Sequence, residues 1–254
     1  MTFADRFEGK VVWVTGAASG IGRAAAQRFG AESASVVVSD IDADGAEETV
    51  ALIEKEGGAA VAVECDVASL AACEQAVAVA KSEYGGLDCV FANAGIGRGG
   101  LSEFISEAEW GEVIDVNLTG VWRTAKASLG ELRVRGGGAI VITSSIEGLV
   151  GSQLLPAYCA AKTGLLGLTR SLADEGAPHG VRVNSVCPGL IETQMTAPIK
   201  MLPEVEQQLF GKIPMSRAGQ PEDVAGVVTF LCSDDARYVT GQWIAIDGGM
   251  TAVS

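Results

Sequence analysis

From end to end, the chain alternates short apolar runs with longer segments whose apolar residues recur at helical spacing. The runs are VVWVTG at 11–16, SVVVSD at 35–40, AAVAVECD at 59–66, LDCVFANAG at 87–95, AIVITSS at 139–145, VRVNSVCPG at 181–189 and QWIAID at 242–247. Stretches such as VVWV and AIVI lack the period-two alternation of a sheet with one wet face, so they are expected to be strands covered by helices on both sides. Between them, 21–30, 45–56 and 69–84 have helical periodicity. The last opens at Ser69, stripes Cys73, Val77, Ala80 and Tyr84, and stops at Gly85. A capping box, Ser106 with Glu109, opens a long helix, another begins near Tyr158, and Pro221 opens one through Leu231. Strict β-α-β succession predicts an α/β doubly wound fold, a seven-stranded, mostly parallel sheet flanked by helices. No linker, repeat or low-complexity break interrupts the 254 residues, so 1–254 is expected to be one domain.

Charge and rare residues exclude several classes of function. With 18 Lys and Arg against 32 Asp and Glu, the net charge is −14, which repels nucleic acid and anionic membrane alike. The single histidine, His179, lies between Pro178 and Gly180. That leaves no zinc site built on several histidines, no metal is expected, and the base for a Ser-His-Asp hydrolase is a weak one. Six cysteines (Cys65, Cys73, Cys89, Cys159, Cys187, Cys232) form no C-x-x-C pair and are expected to be buried, reduced thiols. The N-terminus lacks an apolar h-region, and no stretch of about 18 apolar residues exists to span a bilayer, so a cytoplasmic location is expected.

The first strand runs into Thr15, Gly16, Ala17, Ala18, Ser19, Gly20, Ile21 and Gly22, and a helix follows. Gly16 permits the tight turn, Gly20 lets backbone approach a pyrophosphate, and Gly22 lets the helix pack closely on the strand. Free N–H groups and the positive helix end then face the phosphates. This strand–turn–helix context marks a Rossmann-type dinucleotide site. The second strand ends at Asp40, followed by Ile41, at the adenosine end of that site. A carboxylate there accepts hydrogen bonds from ribose hydroxyls and repels the 2′-phosphate of NADP, and the SDIDAD segment holds no Arg or Lys. The cofactor expected is therefore NAD. The same position also suits a helix-capping role for Asp40. Asp66, at the end of the third strand, is placed to accept a hydrogen bond from the adenine amino group.

Tyr158 and Lys162 share one face of a helix whose apolar stripe continues through Leu165, Thr169 and Leu172. A free tyrosine titrates near 10, and a neighbouring ammonium is expected to lower that value. Such a tyrosine can take a proton from an alcohol as hydride leaves, or give one to a ketone. Ser145 ends the fifth strand on the same carboxyl edge as the glycine turn, although Ser144 beside it is an equal choice on local grounds. Asn117 falls on the apolar face of its helix, where a buried amide without partners costs roughly 1–3 kcal/mol. It therefore needs partners, either backbone groups and water leading to Lys162 or those of a structural kink.

Taken together, the glycine motif at 15–22, N-A-G at 93–95, Asn117, Ser145, Y-x-x-x-K at 158–162 and P-G at 188–189 resemble the short-chain dehydrogenase/reductase family over essentially the whole chain. The resemblance selects Ser145 over Ser144 and implies roles for each residue. Ser145 orients the substrate oxygen, Tyr158 exchanges the proton, Lys162 lowers the tyrosine pKa and holds the nicotinamide ribose, and Asn117 supports a water-mediated relay through Lys162. Asn93, Ala94 and Gly95 contact cofactor ribose. Pro188, Gly189, Ile191 and Thr193 cover the carboxamide side of the nicotinamide. Asp66 and Val67 meet adenine, and Asp40 matches the NAD-preferring branch. WIAIDGG near the C-terminus resembles the segment that packs subunits in the family's tetramers, so a homotetramer is expected. The serines in GAESASVVVSD stand where relatives usually place a glycine turn.

A lid is expected at about 194–216, rich in Met195, Met201, Leu202, Leu209, Phe210, Ile213 and Met215, and it favours an apolar substrate. Ordinary packing or a subunit contact is the competing role for the same residues. Ile96, Glu147, Gln153, Leu154 and Leu155 are placed along the remaining wall by their position beside the catalytic residues. No basic residue is clearly placed to await a substrate phosphate or carboxylate, with Arg98 and Lys200 left open as exceptions. The function expected is interconversion of a neutral secondary alcohol and ketone. An NADPH-linked 3-oxoacyl carrier-protein reductase and a cofactor-binding scaffold or sensor without turnover are the alternatives.

Overall fold

A computed structural model describes residues 5–200 and 203–253. The seven apolar runs form one sheet: β1 (Val11–Thr15), β2 (Ser35–Asp40), β3 (Ala59–Glu64), β4 (Cys89–Ala92), β5 (Gly138–Thr143), β6 (Val181–Pro188) and β7 (Trp243–Ile246), in the order β3-β2-β1-β4-β5-β6-β7. Every pairing is parallel, with no antiparallel edge strand. The chain winds outward from β1 to β3, then returns to lay β4 against the other side of β1. That reversal opens a crevice at the carboxyl ends of β1 and β4.

Successive residues of each strand serve opposite cores, which is why the runs show no alternation. Val12, Val14, Val36, Val38, Phe91 and Val141 pack under α1 (Gly20–Ala31), α2 (Ala43–Lys55) and α9 (Pro221–Cys232). Val11, Trp13, Val37, Val90, Ile140 and Ile142 pack under α3 (Leu70–Tyr84), α5 (Gly120–Val134) and α6 (Pro156–Gly176). Trp13 is fully buried, and its indole N–H donates to Ser39 Oγ at 2.8 Å, so its polar atom stays satisfied. At the α1–β2 turn, Ser33 takes the left-handed φ of 69° that glycine usually supplies, and its hydroxyl donates to Asp5 at 2.7 Å.

Two elements end earlier than their apolar patterns. The third strand stops at Glu64, and the fourth stops at Ala92, so 93–95 leaves the sheet and lines the crevice. The long helix after Ser106 is interrupted: α4 (Glu107–Ile114) passes through a π-helical turn at Asp115–Thr119 before α5 continues. The short helices α7 (Ala197–Lys200) and α8 (Pro203–Phe210) occupy the expected lid. Among the described residues no helix is long and apolar enough to cross a membrane.

Candidate active site

The β1–α1 turn is closed by contacts that only glycine allows. Gly16 has φ +65°, and a Cβ there would lie 2.7 Å from the Cα of Ala94. A Cβ on Gly22 would run into the carbonyl oxygen of Gly16. Asn93 ties this turn to two other strands. Its amide donates to the carbonyls of Thr15 at 3.2 Å and Gly16 at 3.1 Å, and its Oδ1 accepts from Thr143 Oγ1 at 3.1 Å. The side chain expected at the cofactor ribose is thus committed to protein partners, and the Asn93 N–H likewise donates to Thr15 Oγ1 at 3.0 Å. Ser19 precedes α1 without a side-chain cap, so the first-turn N–H groups stand free at the crevice, suited to a phosphate. The glycine cradle and this uncapped turn fit a dinucleotide.

Asp40 accepts from the N–H of Ala18 at 2.9 Å and of Asp42 at 3.0 Å. It does not cap α2; Asp42 does so, accepting from Gly45 at 3.1 Å. Asp66 accepts from Ala68 at 2.8 Å through one oxygen.

At the other end, Pro156 starts α6 in its first turn and carries Tyr158 and Lys162 to the ends of β4 and β5. Lys162 is only 3% exposed, donates to the Thr143 carbonyl at 2.8 Å, and sits 5.4 Å from the Tyr158 ring centroid. Burial pushes its pKa down to about 8, with Cys187 pulling the other way. Ser144 donates to the Lys162 carbonyl at 2.8 Å and so braces α6. Ser145 is the serine whose side chain eases loss of the Tyr158 phenol proton, and its Oγ accepts from the Glu147 N–H at 3.1 Å.

The expectation that Lys162 lowers the Tyr158 pKa does not hold for the protein alone. Burial raises it, Ser145 opposes that, and Glu147 and Cys159 raise it further. Burial is the largest cause; the Lys162 ammonium lies over the ring face and donates to the Thr143 carbonyl.

Asn117 is fully buried in the π-helical turn. Its Oδ1 accepts from the Ile96 N–H at 2.8 Å and its amide donates to the Ile96 carbonyl at 2.9 Å. The kink and the buried amide are one feature: the widened turn presents Asn117 as a clamp on the loop after β4. Both of these side-chain partners are backbone groups of Ile96. Gly95 makes the approach possible, since a Cβ there would lie 2.6 Å from Asn117 Oδ1 and 3.6 Å from Lys162 Nζ.

These groups line one cleft of about 600 Å³, together with Gly16, Ser19, Gly20, Ile21, Ile41, Val67, Ala94, Ile96, Pro188, Gly189, Ile191 and Thr193. Gly22 lies behind it, as its packing role requires. Glu147, Gln153 and Leu155 are not on its wall. After Ser145 the chain turns through a 3-10 segment at Ile146–Gly148, and 149–155 runs outside before α6 begins. Gln153 is exposed, and Leu155 packs against the loop at Gly99. Pattern reasoning missed Cys65, Glu112, Asp115 and Thr143. Cys65 and Thr143 sit at strand ends, a readable signal, whereas Glu112 lies on α4 and Asp115 opens the π-helical turn, an interruption that the helical pattern did not give.

The lid divides. Met195 lines the cleft and covers Gly97, whereas Ile213, Pro214 and Met215 pack on Gly248 and Gly249 after β7. Met201, Leu202 and the side chain of Lys200 lie outside what is described. Four carboxylates line the cleft (Asp40, Asp66, Glu112, Asp115), and Lys162 is its one cation among the described residues. Arg98 is paired with Glu112 at 2.8 Å.

A family model described as Enoyl-(Acyl carrier protein) reductase matches residues 16–251. The chain is 42% identical over 250 residues to a cyclohexanol dehydrogenase of Acinetobacter sp., covering 98% of each. It is a short-chain dehydrogenase/reductase. A 3-oxoacyl-(acyl-carrier-protein) reductase of Thermotoga maritima is 39% identical, covering 96% of this chain and 99% of that one. The solved structure of levodione reductase superposes with a TM-score of 0.94 at 34% identity, covering 98% of this chain and 100% of that one. Short-chain dehydrogenase/reductases are oxidoreductases that work with NAD or NADP, and the glycine cradle of this chain fits such a group.

Proposed function

We propose that this protein uses NAD to interconvert a neutral secondary alcohol and its ketone, with Tyr158 as acid/base. The observation that carries the reading is the convergence of Ser145, Tyr158 and buried Lys162 at one end of a cleft whose other end is the glycine turn and Asp40. Ser145 orients the substrate oxygen, and Tyr158 accepts the hydroxyl proton in oxidation or returns it in reduction. Lys162 holds the cofactor ribose beside the phenol, and Asn117 fixes Gly95 and Ile96 next to it. When bound, oxidised nicotinamide supplies the hydride acceptor and a positive charge. Because burial holds the phenol proton, alcohol oxidation is expected to speed up toward alkaline pH and ketone reduction to slow.

Asp40 at the adenosine end supports NAD over NADP. The four carboxylates against one lysine oppose an anionic substrate, and the name of the Acinetobacter relative suggests a cyclic alcohol. The Thermotoga relative favours a second reading, NADPH-linked reduction of a 3-oxoacyl carrier protein; the acidic cleft weighs against it. Complete Asn117, Ser145, Tyr158 and Lys162 weigh against a silent scaffold. A homotetramer fits the half-exposed Trp243 on edge strand β7 and the exposed Trp110 and Trp122 on α4 and α5.

The test is a panel of secondary alcohols with NAD and with NADP, followed at the reduced-nicotinamide band. Oxidation of cyclic alcohols with NAD is expected. Tyr158→Phe is expected to lose about 10²-fold or more of kcat while still binding NAD. Preference for NADP, or near-parental rates in the Phe variant, would refute the reading.

A further inference from the structure

Glu147 follows β5 in the 3-10 turn at Ile146–Gly148 and touches Ser145 on one side and Cys159, the neighbour of Tyr158 on α6, on the other. Its backbone N–H donates to Ser145 Oγ at 3.1 Å. That bond occupies a lone pair and leaves the Ser145 hydrogen for a phenol or substrate oxygen. Its carboxylate accepts from the thiol of Cys159, the residue after Tyr158, at 3.9 Å. Among the described residues no Lys, Arg or His pairs with it. A half-buried carboxylate with only a thiol for company is costly, and burial duly raises its own proton affinity. An unpaired charge kept beside an active site has a functional reading.

We propose that Glu147 is a positioning residue for Tyr158: its amide holds the Ser145 hydroxyl, and its carboxylate, tied to Cys159 in the first turn of α6, is an unpaired negative charge set beside that pair. This rests on the proposed acid/base role of Tyr158. The other groups around the phenol are accounted for. Ser145 comes from the same turn, and α6 supplies Cys159 and Lys162, the latter over the ring and bonded to Thr143. From β6, Cys187 faces Lys162; the π-helical turn supplies neutral Asn117, bonded to Ile96; Glu112 of α4 is paired with Arg98. Asp115, which opens the π-helical turn, is paired with Arg123, so among the described residues Glu147 is the unpaired carboxylate beside Ser145 and α6.

Glu147→Gln keeps the shape and the acceptor and removes the charge. In the NAD-loaded enzyme, the pH midpoint of kcat/KM for alcohol oxidation is expected to fall by about half a unit, a roughly threefold rate gain on its acidic side. The two profiles should converge at low pH, where Glu147 itself takes up a proton. Glu147→Asp should bring the midpoint back toward the parent. A purely structural role would change rates without moving the midpoint, and an unmoved midpoint overturns the proposal. A second readout needs no turnover. The chain has three tyrosines, so ultraviolet phenolate titration of the NAD-bound protein, minus that of Tyr158→Phe, isolates Tyr158. If no alcohol is oxidised, the proposed activity fails, yet this titration still decides: a lower midpoint in Glu147→Gln supports the coupling, and identical midpoints overturn it.

Discussion

The glycine turn at 15–22 and the lid at 194–216 close over the same cleft and are made in opposite ways. The turn is specified by backbone. Gly16 and Gly22 bring main chain against main chain, and Asn93 and Thr15 stitch β1, β4 and β5 together with hydrogen bonds of 3.0–3.2 Å. The lid is made of side chains: Met195 lies half-exposed over Gly97, and the far end rests on Gly248 and Gly249. A cofactor with invariant phosphates and ribose suits the first construction, because backbone groups cannot drift with side-chain substitution. A substrate pocket suits the second, because flexible side chains exchange without disturbing the sheet.

The comparison breaks most visibly at Gly22. Gly22→Ala forces its new Cβ into the Gly16 carbonyl, and a loss of about 3 kcal/mol or more is expected, with Tm falling by roughly 6 °C or more. A melt within a degree of the parent would show that the turn yields more readily than its contacts imply.

Lys162 sharpens the comparison from the catalytic side. Its pKa in the folded protein is about 8, against 10.5 for an ordinary lysine. The folded state therefore binds its proton more weakly than the unfolded chain, so stability is reduced below pH 8 and recovers as pH rises from 8 toward 10.5. The charge costs on the order of 3 kcal/mol at neutral pH. Replacing it by methionine relieves that cost but orphans the Thr143 carbonyl, which returns about 1–3 kcal/mol. Lys162→Met is expected to gain about 1 kcal/mol at pH 7, seen as a Tm higher by a few degrees, while losing activity. A lower Tm would mean that the ammonium is a structural asset rather than a functional burden.

The smallest effect is expected in the lid. Met195→Ala should change stability by less than about 1 kcal/mol and should raise KM for an apolar alcohol several-fold. A large loss of stability would put Met195 in the core, and an unchanged KM would remove it from the substrate side of the cleft.

Much of this was legible without coordinates, for reasons that differ by residue. Val12 and Trp13 announce a strand buried on both faces because both side chains are apolar. Tyr158 and Lys162 announce a shared face because helical spacing is local. Asn117 announced itself as an anomaly, an amide on an apolar stripe, but its partner Ile96 lies across a loop whose path no periodicity encodes. Glu147, Gln153 and Leu155 were placed on the wall by nearness in sequence; none lines the cleft, although Glu147 stays in contact with Ser145 from behind it.

By itself, then, the sequence determined the order of strands and helices, the glycine turn and the grouping of Ser145, Tyr158 and Lys162 at one sheet edge, all consequences of sterics and burial acting within a few residues. The tertiary structure decided that the Asn93 and Asn117 amides donate to backbone, that Ser144 braces α6 through the Lys162 carbonyl, and that Tyr158 in the protein alone holds its proton more tightly than a free tyrosine. Those outcomes depend on which groups distant chain segments bring within hydrogen-bond reach and on how much water they exclude, and neither is set by neighbours along the chain.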